Sequence, residues 1–303
     1  MAAAVPASVL GKRRAGTVRS KLLEIVLLTT LVLCLAALLT LLAEVARGAA
    51  GVFQSRGAGV IQASLSSLPQ RAGLWQGIVG SAITMLIVVV VAFPLGIAAA
   101  VYLEEYASDS KLTRFISVNV RNLAGVPSIV YGLLGLAVFV TSLRHLTGGP
   151  SMISAGLTLA VLVLPIVIIT TSEALRAVPS TIREAAYGLG ATNWQVIRTQ
   201  VLPSAMPGIL TGTVLSLSRA LGETAPLLLV GAVTGFLATG SAGFAEQLRG
   251  PFTSLPTIVF AWARQPDPGF RELTSAAIVV LLVVILLANA AAILLRNRYD
   301  QRW

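Results

Sequence analysis

Residues 184–203 read Glu-Ala-Ala-Tyr-Gly-Leu-Gly-Ala-Thr-Asn-Trp-Gln-Val-Ile-Arg-Thr-Gln-Val-Leu-Pro. This polar stretch lies between two long apolar ones, and its residue order specifies structure. Thr181-Ile-Arg-Glu184 and Thr192-Asn-Trp-Gln195 both have the form of a capping box. In that motif a hydroxyl and a Glu or Gln side chain each accept from the other residue's backbone N–H at a helix start. The spacing predicts a helix over 181–187, a turn at Gly188–Gly190 and a helix over 193–200, with Pro203 opening the next apolar span. Gly190 supplies the positive φ such a turn needs at no steric cost. Ala185 and Ala186 are small enough to let another protein's surface come close. Trp194, Val196 and Ile197 are placed to fill a shallow groove on it.

A DNA-binding helix-turn-helix is excluded. It needs a basic recognition helix free to enter a major groove, whereas helix 193–200 carries only Arg198 and is tethered between apolar spans. Two readings remain open at this point: an interfacial loop, and a docking element for a cytoplasmic partner.

The rest of the chain sets the environment of this segment. Of 303 residues, 56% are hydrophobic and 11% charged, and the mean hydropathy is +0.86. Soluble domains carry roughly 25% charged residues, so this chain is a polytopic, all-α membrane protein. Cys34 and His145 are the single residues of their types, which excludes an internal disulfide and a zinc site. Cys34 reads as an inert apolar residue within a span. The run from about 25 to 46 is interrupted only by Glu44. It exceeds the ~7–15 apolar residues of a cleaved signal and reads as an uncleaved first span.

Uncharged stretches predict six spans, near 23–46, 78–103, 120–142, 151–172, 205–235 and 274–295. Treating 205–235 as one span puts fourteen Lys and Arg on the side of the N-terminus and seven on the other, with Arg219 within a span. Cytoplasmic segments collect basic residues, so both termini and residues 184–203 are expected inside the cell. The net charge of +10 is explained by that bias and needs no nucleic-acid partner. The external stretch 47–77 reads as loop with one amphipathic turn. Residues 250–265 are apolar but too short to cross, and fit an interfacial or re-entrant segment.

The fifth span holds Ser218-Arg219-Ala220-Leu221-Gly222-Glu223-Thr224-Ala225-Pro226-Leu227. Charges at membrane depth face a bundle interior or a pathway, and i,i+4 spacing on one helix face lets Arg219 pair with Glu223. Gly222 and Pro226 would loosen the helix and expose backbone N–H groups suited to an anion. A structural ion pair and an anion pathway are both compatible with this pattern. Lesser candidates are Glu173 with Arg176 as a surface pair, and Arg121 with Asn122 as pathway lining or as a snorkelling anchor. Gly208 and Gly212 mark a close helix contact with an unspecified partner.

Glu184-Ala185-Ala186, Gly190 and Leu202-Pro203 resemble the EAA loop of ABC-importer permeases: Glu-Ala-Ala, three residues, Gly, nine residues, Ile, one residue, Leu-Pro. The chain departs from it at Gln200, which stands where the pattern has Ile, with Ile197 and Val201 nearby to take the packing role. Arg-Ala-Leu-Gly-Glu-Thr-Ala-Pro-Leu at 219–227 is similar to the fifth-span motif of the PstA family of phosphate-importer permeases, and its Gly-Glu-Thr-Ala-Pro form favours that family over the related PstC. Val126-Pro127-Ser128-Ile129-Val130-Tyr131-Gly132 resembles a third-span segment of the family, and Leu255-Pro256-Thr257-Ile258 is a weaker echo. The likeness extends over about 75–295.

The resemblance implies a six-helix, type I ABC-importer permease fold. It implies a cytoplasmic tail at 1–21 and a permease domain at 22–303, with a coupling loop at 178–203. The expected assembly holds a second, PstC-like permease, two PstB-like ATP-binding subunits and an external PstS-like phosphate-binding protein, in a bacterial inner membrane with both termini cytoplasmic. Glu184, Ala185, Ala186, Gly190, Leu202 and Pro203 would couple to the ATPase, and Arg219 and Glu223 would line the phosphate pathway. No cofactor is expected in this chain, because ATP and Mg belong to the partner ATPase. The lysines Lys12, Lys21 and Lys111 all lie outside any P-loop context. The residues alone do not select phosphate over sulfate or molybdate. A self-sufficient secondary transporter with Glu223 as proton carrier is the reading from a different class.

Overall fold

The computed structural model describes residues 18–233 and 244–299; the expected tail up to residue 17 lies outside them. Among the described residues the chain is helical, with no strand. In order the helices are α1 (Val18–Arg56), α2 (Gly59–Gln62), α3 (Trp75–Val101), α4 (Lys111–Ala124), α5 (Ser128–Gly135), α6 (Arg144–Thr147) and α7 (Met152–Arg176). Then follow α8 (Ser180–Gly188), α9 (Asn193–Val196), α10 (Leu202–Gly222), α11 (Ala225–Leu229), α12 (Phe244–Leu248), α13 (Leu255–Trp262) and α14 (Pro268–Tyr299). The chain forms two compact units, Met1–Arg47 and Gly48–Trp303. In the first, the leucines at 22, 23, 27, 28 and 31 of α1 are exposed.

Five helical stretches are long and apolar enough to cross a bilayer: Ser20–Arg56, Trp75–Tyr106, Met152–Arg176, Asn193–Gly222 and Pro268–Leu294. The span expected at 120–142 is instead a pair, Lys111–Ala124 and Ser128–Ser142, bent by 101°. Pro127 causes the break: it offers no N–H and drives Val126 out of the helical region. The Tyr131 hydroxyl donates to the Leu123 carbonyl at 2.8 Å, satisfying one acceptor near the break. Residues 104–121, between the expected second and third spans, contain most of α4, whose start is capped by Ser110 accepting from the Thr113 N–H at 3.2 Å. Residues 47–77 are also more helical than expected, since α1 runs to Arg56 and α2 follows.

The span expected at 205–235 is shifted. Its helix begins upstream at Asn193 and ends at Gly222, and Glu223 is extended at φ −74°, ψ 127°. The short α11 follows; residues 234 and 235 lie outside the described part.

In the second unit α3, α7, α10 and α14 pack around three apolar clusters. One joins Val88 and Ala92 of α3 to Leu159 and Val163 of α7 and to Leu221 and Leu227 beside the helix break. A second surrounds α13 with Leu74, Trp262, Phe270 and Ala276. The third gathers Ala100, Leu175, Val196, Ile197, Val201 and Ile209 at the loop end.

Helix contact in a bilayer relies on close packing, which small residues permit. A Cβ on Gly208 would sit 2.7 Å from that of Ala174, and one on Gly212 would collide with Thr170. The Gly208–Gly212 ridge therefore seats on α7, a partner its spacing alone did not identify. At ~1.5 Å per residue, α13 is too short to cross. Its Leu255, Ile258 and Trp262 are buried, and its Leu255 N–H donates to the Ser81 hydroxyl of α3 at 2.9 Å.

Candidate functional site

The loop between α7 and α10 is rigid by construction. Gly190 has φ +81°, the Gly190 N–H donates to the Tyr187 carbonyl at 2.9 Å, and the Ala191 N–H donates to the Ala186 carbonyl at 3.2 Å. This 6→1 and 5→2 pair is a Schellman close to α8. The Tyr187 hydroxyl donates to Asn193 Oδ1 at 2.7 Å, tying the two sides of the turn. The expected capping box at Thr192 and Gln195 is present. The one at Thr181 is not: Pro179 occupies the N-cap position, and the helix starts at Ser180 without a side-chain cap. Thr181 then falls inside the first turn, where its hydroxyl is no longer in the capping position.

Glu184, Ala185, Gly190 and Pro203 are exposed, while Ala186 and Leu202 are partly buried. Trp194 is also exposed, but Val196 and Ile197 pack inside this chain, which corrects their expected role in a partner's groove. Gln200 is exposed, and Ile197 and Val201 on either side of it are both fully buried. The apolar packing expected near that position is supplied by these neighbours. From Asn193 the helix continues through a wide π turn at Ile197–Val201 into α10.

Two ion pairs at this end have no local sequence signal. Glu104 and Glu105 lie in a π turn, Tyr102–Tyr106, that extends α3. Arg176 at the end of α7 donates to Glu104 at 2.7 and 2.8 Å. Arg176 therefore takes a partner 72 residues away, not the expected Glu173. Arg183 of α8 donates to Glu105 at 2.7 Å. Arg121 lines an open groove of about 320 Å³ with Thr113, Arg114, Ser117, Glu104 and Arg176, a lining that does not include Arg219.

At the other end of α10 stand Arg219 and Glu223. Arg219 lies in the last helical turn, where the C-terminal end of the helix dipole favours a cation. Glu223 is the first residue beyond the helix, so the two do not share a helix face as their spacing predicted. Arg219 Nε still lies 3.4 Å from Glu223 Oε1, with side-chain exposures of 44% and 16%. The expected weakening at Gly222 and Pro226 is a full break, and α11 packs on α5. A Cβ on Gly132 would lie 2.7 Å from Pro226 Cα. The residues resembling the third-span and fifth-span motifs thus meet in space. Next to Arg219, the Ser218 hydroxyl donates to Asn289 Oδ1 of α14 at 2.6 Å, fixing the end of α10 to the last span.

Apolar helices surrounding a charged helix break, with a capped polar loop feeding the same helix, define a membrane-embedded transport subunit. Residues 92–303 match the family of binding-protein-dependent transport system inner membrane components. The chain is 35% identical over 231 residues to the phosphate transport system permease protein PstA of Xylella fastidiosa, covering 76% of this chain and 77% of the relative. It is 34% identical over 207 residues to the protein of that name from Pasteurella multocida, covering 68% and 70%. The chain belongs to the family of these permeases. Among solved structures, a bacterial ABC transporter involved in alginate import superposes with a TM-score of 0.63 at 14% identity, over 93% of this chain and 97% of that one. The MetNI methionine ABC transporter, inward-facing, gives 0.56 at 20% identity, over 76% and 95%. These likenesses establish the type I ABC-importer permease fold.

Proposed function

We propose that this chain is the permease subunit of an ATP-driven phosphate importer, with Arg219 and Glu223 in the translocation pathway and residues 184–203 as the coupling loop. The observation that carries this reading is a single helix. Asn193–Gly222 is continuous, so a displacement of the loop reaches the Arg219–Glu223 break along one rigid element. The relatives are phosphate permeases by name, and this permease is not itself an enzyme: ATP is hydrolysed on a partner chain. The assembly we infer adds a second permease, a pair of ATP-binding subunits and an external phosphate-binding protein, in a bacterial cell membrane with both termini cytoplasmic.

The chemistry suits the substrate. Phosphate is a small hydrated dianion, and a guanidinium offers it two parallel donors. A charge at the bilayer centre costs at least ~2.5–3.5 kcal/mol, so Arg219 needs a counter-ion when the pathway is empty. Glu223 supplies one through a loose, half-exposed contact that an arriving anion can replace. ATP closes the ATPase dimer, the loop moves as a lever, and the spans exchange inward- for outward-facing states; hydrolysis resets them. In reconstituted complexes, Glu184→Lys or Gly190→Val is expected to abolish phosphate-stimulated ATPase with the protein still inserted. Normal stimulation in these variants would overturn the coupling assignment.

A further inference from the structure

Arg183 joins three elements with one side chain. Its Nη2 donates to Glu105 Oε1 at 2.7 Å and to the Leu175 carbonyl at 3.0 Å. Its Nη1 donates to the Val178 carbonyl at 2.8 Å, and its Nε reaches Glu105 Oε2 at 3.4 Å. Leu175 belongs to the last turn of α7, where its carbonyl also accepts from the Val178 N–H at 3.3 Å, and Val178 follows it, so Arg183 adds a side-chain donor to the end of that helix and to the chain just beyond it. Glu105 belongs to the π turn that ends α3. Its side chain is 7% exposed and that of Arg183 is 21% exposed. A single lysine would not serve, because the planar fork presents several donors in fixed directions.

The same helix faces outward with different residues. Glu184 and Ala185, the next two residues, are exposed. Thus α8 presents the coupling residues on one side and clamps α3 and α7 on the other. We propose that Arg183 is a positioning residue that transmits movement of α8 to α3 and α7, a second route beside the continuous helix Asn193–Gly222. This rests on the coupling reading of residues 184–203. A displacement of α8 alone would strip Glu105 of its partner in a largely desolvated place, which is strongly unfavourable. The three elements therefore move as a unit, and the clamp makes the stroke productive at α3 as well as at α10.

The test uses the assembled importer in proteoliposomes, with inorganic phosphate as the probe, and reads phosphate delivered per ATP hydrolysed. A merely architectural pair would alter how much complex assembles but leave that ratio unchanged. In Glu105→Gln the ratio is expected to fall at least about fivefold, the lower end of typical coupling between sites, with the KM for phosphate unchanged. In Arg183→Gln it falls further, and Glu105→Gln combined with Arg183→Gln is no worse than Arg183→Gln alone, because the two act as one contact. If Arg183→Gln does not assemble, Arg183→Lys keeps the charge, loses the fork and carries the same test. A wild-type ratio in Glu105→Gln, or losses that multiply in the double variant, overturns the proposal. Glu184→Lys run alongside separates the two ideas. Uncoupling there with a normal ratio in Glu105→Gln removes only the clamp, whereas normal ATPase stimulation in Glu184→Lys removes the coupling loop itself.

Discussion

Arginine and glutamate meet near both ends of the continuous helix Asn193–Gly222, in opposite ways. At the loop end, Arg176 and Arg183 approach Glu104 and Glu105 to 2.7 Å, the length of a charge-assisted hydrogen bond. At the far end of α10, Arg219 and Glu223 stand 3.4 Å apart with the Arg219 side chain 44% exposed. The first arrangement fixes helices to one another by close geometry, and in the Arg183–Glu105 pair, 21% and 7% exposed, breaking the contact would also leave a largely buried charge. The second holds two charges near each other without committing either, so an external anion can enter between them. On the proposed reading, the difference separates residues that carry force from residues that meet cargo.

Five substitutions probe this contrast. The largest effect is expected from Arg219→Gln: uptake should fall on the order of a hundredfold with the complex assembled, consistent with losing ~3 kcal/mol of charge pairing to the anion. Near-normal transport in reconstituted vesicles would make the loose pair structural and erase the contrast. Next, Glu105→Gln should destabilise the purified complex by ~3 kcal/mol, while Glu104→Gln, whose partner Arg176 is 55% exposed, should cost ~1 kcal/mol or less. Thermal unfolding of both variants checks the ranking, and equal losses would remove the distinction between the two tight pairs. Gly212→Leu should then cost about 2 kcal/mol by overpacking the α10–α7 contact and should impair coupling, because it pries at the rod joining the two ends. The smallest effect belongs to Thr192→Ala, ~1 kcal/mol from loss of the N-cap, seen as faster amide exchange over 192–196. Unchanged exchange there would mean that the turn is held by Gly190 and Tyr187 alone.

Much of this was legible in the sequence where the determinants are local. Runs of apolar residues gave five spans, the Thr192–Gln195 box is formed, and Gly190 takes the positive φ its turn position demanded. Local rules failed where two of them competed. Pro179 outranked the Thr181 box because it set the helix start two residues too early for that hydroxyl. Pro127 broke a stretch whose hydropathy alone suggested one span, and the Gly222–Pro226 region ended a helix instead of softening it. What had no local signal was pairing at a distance. Nothing near Arg176 or Arg183 in the chain points to Glu104 and Glu105, and Ser218 finds Asn289 71 residues away. Charges within a span and the capping pattern located the candidate site residues and the resemblance implied their roles, but the contrast in their contacts appears only in three dimensions.

The bent pair α4–α5 has a consequence for how the protein is made. Lys111–Ala124 is ~21 Å long and Ser128–Ser142 ~22 Å at 1.5 Å per residue, against a hydrocarbon core of ~30 Å. Neither arm crosses alone, and the backbone at the 101° corner must be shielded from lipid. Surfaces that cover the second arm arrive later in translation: Thr158 of α7 faces Gly135, and Pro226 faces Gly132. This segment therefore waits at the insertion machinery, or on the membrane surface, until α7 and α11 have been synthesised. A nascent chain truncated before residue 226 should leave the Gly132 face of α5 accessible to water-soluble labels.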